Sequence, residues 1–454
     1  MNRLSEVAAA AWVRQGGLAG AELRGREYAG RGKQSMKRRF WLAGWVTAAL
    51  MMGVAVRVTP IAAEDWPHWR GPQHNGRWVD GKPPGRFPGS GLAVRWRVDI
   101  GPGFSGVAVA GGRVYTMERM TGEEKERVVC RSADTGALLW AHSYAADYGD
   151  MDHGKGPRAT PTVFRGRVYT LGAVGHLFCF EAATGSVVWK RDLKSESGAR
   201  VPTWGFSASP VIHGDTVIVH AAVSPGGCFA AYDLLTGEER WRSGDDPAGY
   251  ATPVLFQYKQ ATGLLGWTPR HITCLDPNTG DEYWRIPYKV TYGVSIATPI
   301  VVDDLIFVSG YWEGSKAIRL GKSLREAQLA WEENRYLRGL MAQPLYRDGY
   351  AYLLDKRHGL ICFELATGKK IWSDNHRLTP RERNPQATMV WVGDTDHILA
   401  LNARGELVHA RLSPDGYREI DRAPLVGKTW AHPAYADGAV YARDDRQLVK
   451  AMLP

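Results

Sequence analysis

Apolar and polar residues alternate in short runs along most of this chain, and turn residues separate the runs. One run, at residues 177–181, precedes a Thr-Gly pair and a tryptophan four residues after the glycine. The alternation predicts β-strands, and the glycine supplies the positive φ that a tight turn between two strands needs. The tryptophan then lies on the returning strand, where its ring can pack against a neighbouring sheet.

This Thr-Gly-x-x-x-Trp unit recurs through the chain, which indicates a repeat fold rather than several unrelated domains. The copies are Thr135-Gly136 with Trp140, Thr184-Gly185 with Trp189, Thr236-Gly237 with Trp241, Thr279-Gly280 with Trp284, and Thr367-Gly368 with Trp372.

A second periodic feature is a triplet of a small residue, a polar residue and, in most copies, proline. The triplets are Ser105-Gly-Val107, Ala159-Thr-Pro161, Ala208-Ser-Pro210, Ala251-Thr-Pro253, Ala297-Thr-Pro299, Ala342-Gln-Pro344, Ala387-Thr-Met389 and Ala431-His-Pro433. Their third positions are 43 to 54 residues apart, which is close to the length of one propeller blade.

Each repeat contains four predicted strands, A to D, so eight repeats predict an all-β, eight-bladed β-propeller of four-stranded antiparallel blades over residues 93–454. The last repeat stops at residues 447–452 without a strand D, whereas residues 93–99 form a lone strand with no repeat before it. The N-terminal strand is therefore expected to join the last blade and close the ring, which removes unpaired sheet edges.

Two repeats depart from the pattern. In the fifth, Trp331 follows a turn without Thr-Gly. In the seventh, the turn is Pro414-Asp-Gly416, and Ile420 is expected to replace the tryptophan.

The charge and the apolar pattern divide the N-terminal part of the chain. The net charge is +10, but residues 1–63 hold ten Lys or Arg against three Asp or Glu, so the basic character gives no support for nucleic-acid binding. Residues 36–63 resemble an export signal, with an uncharged run at 40–56, and an uncleaved signal anchor is the alternative. Residues 1–35 do not fit before such a signal and are interpreted as a non-native extension, with translation starting at Met36. Residues 64–92 are expected to pack on the propeller body.

The five cysteines do not predict a disulfide framework. Four of them lie six residues before a Thr-Gly glycine, so they occupy one strand position in different blades, too far apart to bridge. These are Cys130, Cys179, Cys274 and Cys362, and Cys228 is out of register. All five are interpreted as small buried side chains.

The repeat (Cys/Ala)-Phe-(Glu/Asp)-x-x-Thr-Gly-x-x-x-Trp resembles the tryptophan-docking repeat of the quinoprotein-type β-propellers. That superfamily includes dehydrogenases that use pyrroloquinoline quinone (PQQ) and BamB-like outer-membrane assembly factors. The resemblance implies an exported, periplasmic binding or scaffold protein, and the alternative is a PQQ-dependent alcohol or sugar dehydrogenase with PQQ and calcium at the axial mouth. The chain has no vicinal cysteine pair of the kind that the enzyme branch carries.

Strand A lines the axis of a propeller, so the residues around each triplet are candidates for a site. The residue three positions before the end of each triplet varies most, and it lies on the same side of the strand as the middle residue. Arg158, Trp204, Tyr250, Trp430 and His432 are predicted to form a cationic and aromatic pocket for a planar anion such as a quinone cofactor. The alternative is that these side chains fill the channel and satisfy one another.

Three further expectations concern the axis, an acidic loop and the partner. The small residue of each triplet suits crowding near the axis. The acidic loop with Asp147, Asp150, Asp152 and His153 fits no known cation-binding spacing and is interpreted as solvated, with binding of a hard cation as the alternative, so no metal site is predicted. The partner is expected to be an envelope protein or a small planar ligand at the channel mouth, bound by a monomer that contacts membrane only through an uncleaved anchor.

Overall fold

The computed structural model describes residues 65–151, 154–339 and 341–454. The predicted extension at 1–35 and the predicted export signal at 36–63 lie outside the described residues, as do Asp152 and His153. In the part of the chain that is described, no helix is both long enough and apolar enough to cross a membrane.

Eight sheets stand around one axis, and each contains four hydrogen-bonded antiparallel strands. This arrangement confirms the predicted eight-bladed propeller. The innermost strands A of several neighbouring blades contact one another. Strands A to D of blade 1 are Ala108–Ala110, Arg113–Arg119, Lys125–Ser132 and Leu138–Ala145, and those of blade 2 are Thr162–Phe164, Arg167–Leu171, His176–Glu181 and Val187–Asp192. Those of blade 3 are Val211–His213, Thr216–Val223, Gly227–Asp233 and Glu239–Ser243, and those of blade 4 are Val254–Tyr258, Ala261–Trp267, His271–Leu275 and Glu282–Pro287.

Blades 5 to 8 repeat this arrangement, and blade 7 gains a fifth, inner strand, Arg77–Trp78. The only helical segments in the described ranges are an α-helix, Leu193–Ser197, and a 3-10 turn, Thr291–Gly293. Strands A to D of blade 5 are Ile300–Val302, Leu305–Gly310, Gly314–Leu320 and Ala327–Glu333, and those of blade 6 are Leu345–Arg347, Tyr350–Asp355, Gly359–Glu364 and Lys370–Ser373. Those of blade 7 are Ala387–Val392, His397–Asn402, Glu406–Ser413 and Gly416–Pro424, and those of blade 8 are Ala434–Ala436, Ala439–Arg443, Gln447–Met452 and Ala93–Asp99.

The two ends of the described chain close the ring, as predicted. Ala93–Asp99 pairs antiparallel with Gln447–Met452 and becomes strand D of blade 8. Because successive strands run in opposite directions, the A–B and C–D turns of every blade lie at one face of the ring. The B–C turns and the D–A loops lie at the other face.

The recurring tryptophans join neighbouring blades. Each indole N–H donates to a backbone carbonyl at the C–D turn of the next blade, at 2.9 to 3.1 Å between nitrogen and oxygen. The tryptophans are Trp96, Trp140, Trp189, Trp241, Trp284, Trp331 and Trp372. Gly185 shows why the turn needs glycine, since its φ is +74° and a Cβ there would approach the Trp140 ring to 2.5 Å.

The cysteines make room for these rings. Cys179, for example, lies directly opposite Trp189 on the neighbouring strand. Cys130, Cys274 and Cys362 face Trp140, Trp284 and Trp372 in the same way. All five cysteines are buried and none is in a disulfide, which confirms their interpretation as small buried side chains.

Blade 7 corrects one prediction. Ile420 falls in a β-bulge, and Asp421 lies immediately after it, opposite His409, where the other blades carry tryptophan. The Asp421 carboxylate accepts a hydrogen bond from the backbone N–H of Phe87 at 3.1 Å, and the buried Phe87 ring lies 6.0 Å from His409. A segment distant in sequence thus replaces the missing tryptophan, which the repeat pattern of blade 7 alone does not reveal.

Residues 65–78, here called the channel plug, enter the axial channel instead of lying on the outer surface. The backbone of Trp66 pairs with strand A of blade 1, and the Pro67 carbonyl accepts a hydrogen bond from strand A of blade 2 at 2.8 Å. The buried Arg70 guanidinium donates to a carbonyl that precedes strand A of blade 6, at 3.1 Å. Arg77 donates to the A–B turn of blade 7 at 3.0 Å. The plug therefore occupies the channel near the A–B turns, and we call this end the closed face and the opposite end the open face.

Candidate functional site

A cavity of about 350 Å³ lies on the axis and opens at the open face. Its wall contains the residue three positions before the end of every triplet, in all eight blades. These residues are Phe104, Arg158, Ser207, Tyr250, Ile296, Met341, Gln386 and Trp430. The register read from the triplets therefore identifies the side chains that line the channel mouth.

The channel plug supplies the floor of this cavity. The indole N–H of Trp69 donates to the Thr298 hydroxyl at 3.1 Å, and its ring lies 4.0 Å from the ring of His432. Burial, with a smaller contribution from Arg70, lowers the pKa of His432 to about 3, so the imidazole is neutral at physiological pH. Sequence analysis assigned Trp69 only to a packed segment and missed its place under the cavity.

The wall combines aromatic faces with two arginines, Arg158 and Arg383. The Trp204 and Tyr250 rings lie 5.3 Å apart, and those of Phe104 and Trp430 lie 6.1 Å apart. The guanidinium of Arg158 lies 5.2 Å from the centre of the Phe104 ring. The five residues predicted from the sequence therefore surround one cavity, and whether they bind a cofactor remains a prediction.

Arg158 is held in place by its own loop and stays charged. Its guanidinium donates to the carbonyl of Gly156 and, at 2.7 Å, to that of Gly154. Burial lowers the pKa of Arg158 to about 10, and Glu126 acts in the opposite direction. A pKa of about 10 still leaves the side chain protonated at neutral pH, so it contributes a positive charge to the cavity wall.

Glu126 is the buried carboxyl group that acts on Arg158 from behind the wall. Its oxygens accept hydrogen bonds from the hydroxyls of Tyr144 and Tyr148, at 2.7 and 3.1 Å, and from the Ala173 N–H at 3.0 Å. Burial raises the pKa of Glu126, although these donors and Arg158 lower it. These partners hold the carboxyl group behind the wall, and Glu126 does not line the cavity.

The rim of the cavity carries an aromatic and basic cluster that sequence analysis missed. Tyr292 is 77% exposed and Trp312 is 44% exposed. The Lys356 ammonium lies 3.4 Å from the centre of the Tyr311 ring and 3.5 Å from that of Trp312. Tyr311 and Trp312 form the B–C turn of blade 5, outside the register of the docking tryptophans. That departure from register is the sequence signal that distinguishes them.

The middle residues of the triplets have two roles. Thr252, Gln343 and His432 line the cavity. Elsewhere the middle residue joins neighbouring blades, as where the hydroxyl of Ser209 accepts the N–H of Thr160 at 3.0 Å.

The small residues of the triplets are buried, and several of them, such as Ala159, Ala251 and Ala342, belong to apolar cores that include residues of adjacent blades. Strand alternation places them on the side of strand A opposite the variable residues that line the cavity.

The lining residues do not fit a calcium ion. Calcium is bound mainly by carboxylate and carbonyl oxygens, usually six to eight of them. None of the residues that line this cavity is Asp or Glu. Within the described ranges, no group of three or more His, Cys, Asp or Glu side chains is arranged to hold a metal ion. The side chains fit an anionic, aromatic or apolar ligand instead, because Arg158 and Arg383 supply the charge.

Comparison with known protein families identifies relatives of this chain. A family profile described as outer membrane protein assembly factor BamB matches residues 90–241 and 124–374. BamB of Yersinia pestis is 22% identical over 374 residues, which cover 76% of this chain and 87% of that protein. BamB of Moranella endobia is 21% identical over 255 residues, so the alignment covers 53% of this chain and 60% of that relative.

Solved structures share the architecture. BamB of Moraxella catarrhalis superposes with a TM-score of 0.56 and 18% identity over 80% of this chain and 97% of that chain. Quinohemoprotein alcohol dehydrogenase of Comamonas testosteroni superposes with a TM-score of 0.58 and 15% identity over 85% of this chain and 80% of that chain. At these identities the likeness extends to the fold alone.

Proposed function

This chain belongs to the outer membrane protein assembly factor BamB family, and from that premise we propose that it is a non-catalytic binding protein of the cell envelope. Its open axial cavity binds a segment of a partner protein, and the propeller is the rigid scaffold around that site. The relatives are named for outer-membrane assembly, which supports an exported, periplasmic location. The chain acts as a monomer in this proposal.

The observation that carries the proposal is the composition of the cavity. Eight of its lining residues are Trp, Tyr or Phe, two are arginines, and none is Asp or Glu. Aromatic rings supply large contact areas, and arginine pairs with carboxylates through several donors. Such a surface favours a ligand that presents apolar and anionic groups together.

The alternative function is a PQQ-dependent dehydrogenase. The fold shared with quinohemoprotein alcohol dehydrogenase and the arginine and aromatic groups favour it. If PQQ were bound, Arg158 and Arg383 would face its carboxylates, Trp204 and Trp430 would offer stacking faces, and PQQ would supply the redox chemistry. The cavity wall provides no carboxylate to hold calcium or accept a substrate proton, so we favour the binding protein.

Reconstitution separates the two functions. Purified protein is mixed with PQQ and calcium chloride, and heat release, absorbance and dye reduction with alcohols or sugars are measured. The binding-protein proposal predicts no dye reduction. Saturable PQQ binding accompanied by turnover would overturn it.

A pull-down from envelope extract tests the binding function directly. The double variant Arg158→Met/Trp430→Ala changes the cavity wall, and Lys369→Glu changes an exposed lysine at the closed face of blade 6. We expect wild type and Lys369→Glu to retain the same discrete partner and the double variant to lose it. Equal retention by a folded double variant, checked by its thermal melting, would contradict the use of the cavity.

A further inference from the structure

Two glutamines of the cavity differ in their hydrogen bonding. The side chain of Gln343 is satisfied at both ends, because its oxygen accepts the Thr298 N–H and its nitrogen donates to the Met341 carbonyl at 3.1 Å. Gln386 is only 3% exposed, and its side-chain oxygen has no hydrogen-bond partner among the described residues. A buried carbonyl oxygen without a donor is unfavourable. Gln386 contributes to the cavity wall, but its side-chain oxygen has almost no accessible surface, so its amide group must rotate before a ligand can donate to it.

The rim of the cavity carries positive charge that favours an acidic ligand. Lys356 lies against the faces of Tyr311 and Trp312, and no ion pair links it or Arg383 to an acidic group of the described chain. The carboxylate of Glu313, which follows Trp312 in sequence, accepts the N–H of Thr291 at 2.7 Å through one oxygen, and its other oxygen has no partner in the described chain. An arriving carboxylate therefore finds cationic donors at the rim that are not already paired.

We propose that the partner segment is acidic and that it inserts a tyrosine or tryptophan side chain into the cavity. The aromatic ring packs among Phe104, Tyr250 and Trp430, and its O–H or N–H donates to the side-chain oxygen of Gln386. Acidic residues on either side of the inserted ring pair with Arg383 and Lys356 at the rim. This inference rests on the proposed binding function and specifies the chemistry of the ligand.

The size and polarity of the cavity support this assignment. A volume of about 350 Å³ is at the small end of ligand pockets and suits one or two side chains rather than a folded surface. Phenylalanine would fill the same space but would leave the Gln386 oxygen without a donor. The site should therefore discriminate between two aromatic side chains that differ by one hydroxyl group.

Four synthetic peptides test the inference by calorimetric titration of the purified protein. Their sequences are acetyl-Glu-Glu-X-Glu-Glu-amide with X as Tyr, Trp or Phe, and acetyl-Lys-Lys-Tyr-Lys-Lys-amide. We expect the Tyr and Trp peptides to bind about fivefold or more tightly than the Phe peptide. The lysine peptide should not bind, and added salt should weaken the acidic peptides.

Matched variants assign the effect to residues. Gln386→Met keeps the volume and removes the oxygen, so the preference for Tyr over Phe should fall to about onefold while the Phe peptide still binds. Lys356→Glu should weaken the acidic peptides by about fivefold or more, whereas Lys369→Glu, an exposed lysine at the other end of blade 6, should not. Thermal melting verifies that each variant is folded.

The outcomes distinguish this inference from the proposed function. Equal affinity for the Tyr and Phe peptides, or a preference that survives in Gln386→Met, overturns the inference. Absence of peptide binding overturns it too, as does binding of oligogalacturonate, an acidic glycan, in their place. If the envelope pull-down still depends on the cavity wall in those cases, the proposed function stands. If neither peptide nor partner depends on the cavity, both fail.

Discussion

The two mouths of the channel are formed by the same eight inner strands, yet they carry different chemistry. At the closed face, the plug is tied to strands A by backbone hydrogen bonds, and Trp66, Arg70 and Trp78 are all buried. At the open face, Tyr292 and Trp312 are exposed. The difference indicates that one mouth stabilises the ring and that the other is available to a ligand.

Two buried polar side chains, one from each region, differ in their hydrogen bonding. The buried Arg70 of the plug donates to two backbone carbonyls, of Asn75 at 2.9 Å and Pro344 at 3.1 Å. Gln386 of the open cavity leaves its side-chain oxygen without a donor in the described chain. Native proteins satisfy nearly all buried polar groups, so each exception needs an explanation, and the exceptions here include the Trp78 indole N–H of the plug as well as Gln386.

The largest effect is expected at the closed face. Trp66 is 2% exposed and packs 5.5 Å from Tyr435, and a Cβ on Gly71 would approach its ring to 2.7 Å. We expect Trp66→Ala to lower the free energy of unfolding by about 3–5 kcal/mol because it leaves a cavity in a close-packed core. Urea titration measures this loss. A loss below about 1 kcal/mol would mean that the plug does not stabilise the ring.

Acid should destabilise the closed face next. The rings of His68 and His74 stack at 3.6 Å, and burial lowers the pKa of His74 to about 4. Between that value and about pH 6.5 the unfolded chain binds a proton that the folded chain does not, so stability falls as pH falls through this window. We expect His74 to contribute about 1–3 kcal/mol of this loss.

Unfolding measured at several pH values, for wild type and His74→Gln, tests the acid effect. The variant should lose less stability than wild type between pH 6.5 and pH 4. Parallel curves for the two proteins would show that His74 is not the acid-sensitive group of the plug.

Trp69 lies at the boundary between the two regions and should affect both. Trp69→Ala removes the hydrogen bond to Thr298 and the contact with His432. We expect a loss of stability of about 1–3 kcal/mol and weaker binding of the acidic tyrosine peptide, because the cavity loses its floor. Melting and calorimetry on one preparation measure both effects. Unchanged peptide binding would show that Trp69, the floor of the cavity, does not contribute to the binding site.

The smallest effect on stability is expected at the rim. Trp312 is 44% exposed, so Trp312→Ala should change the free energy of unfolding by no more than about 0.5–1 kcal/mol. Peptide binding should nevertheless weaken, because the ring that supports Lys356 is lost. Unfolding and binding measured together give the contrast. A large loss of stability would show that the rim is structural.

The sequence predicts the propeller because its two recurring motifs consist of residues that the geometry of a blade requires. Gly185 needs both a positive φ and the absence of a Cβ beneath Trp140, so the Thr-Gly-x-x-x-Trp unit is visible in any blade that uses it. The triplets fix the register of strand A, and that register identified Arg158, Tyr250 and Trp430 as lining one mouth.

The rest of the site could not be predicted because it depends on contacts between distant segments. The plug has no periodic pattern, and Trp69 reaches the cavity only because residues 65–78 enter the channel. Phe87 replaces the missing tryptophan of blade 7 through a hydrogen bond to Asp421, which is more than three hundred residues away in sequence. A repeat pattern reveals the strands within one blade, whereas these contacts join segments that meet only in the closed ring.

Site-specific photocrosslinking compares the two faces most directly. A benzoylphenylalanine replaces Trp312 at the open rim or Leu235, a 67% exposed residue in the C–D turn of blade 3 at the closed face. After irradiation of envelope fractions, we expect the residue at 312 to crosslink to a discrete partner protein and the residue at 235 to give no such product. Crosslinks from position 235 with none from position 312 would contradict the assignment of the open mouth as the binding site.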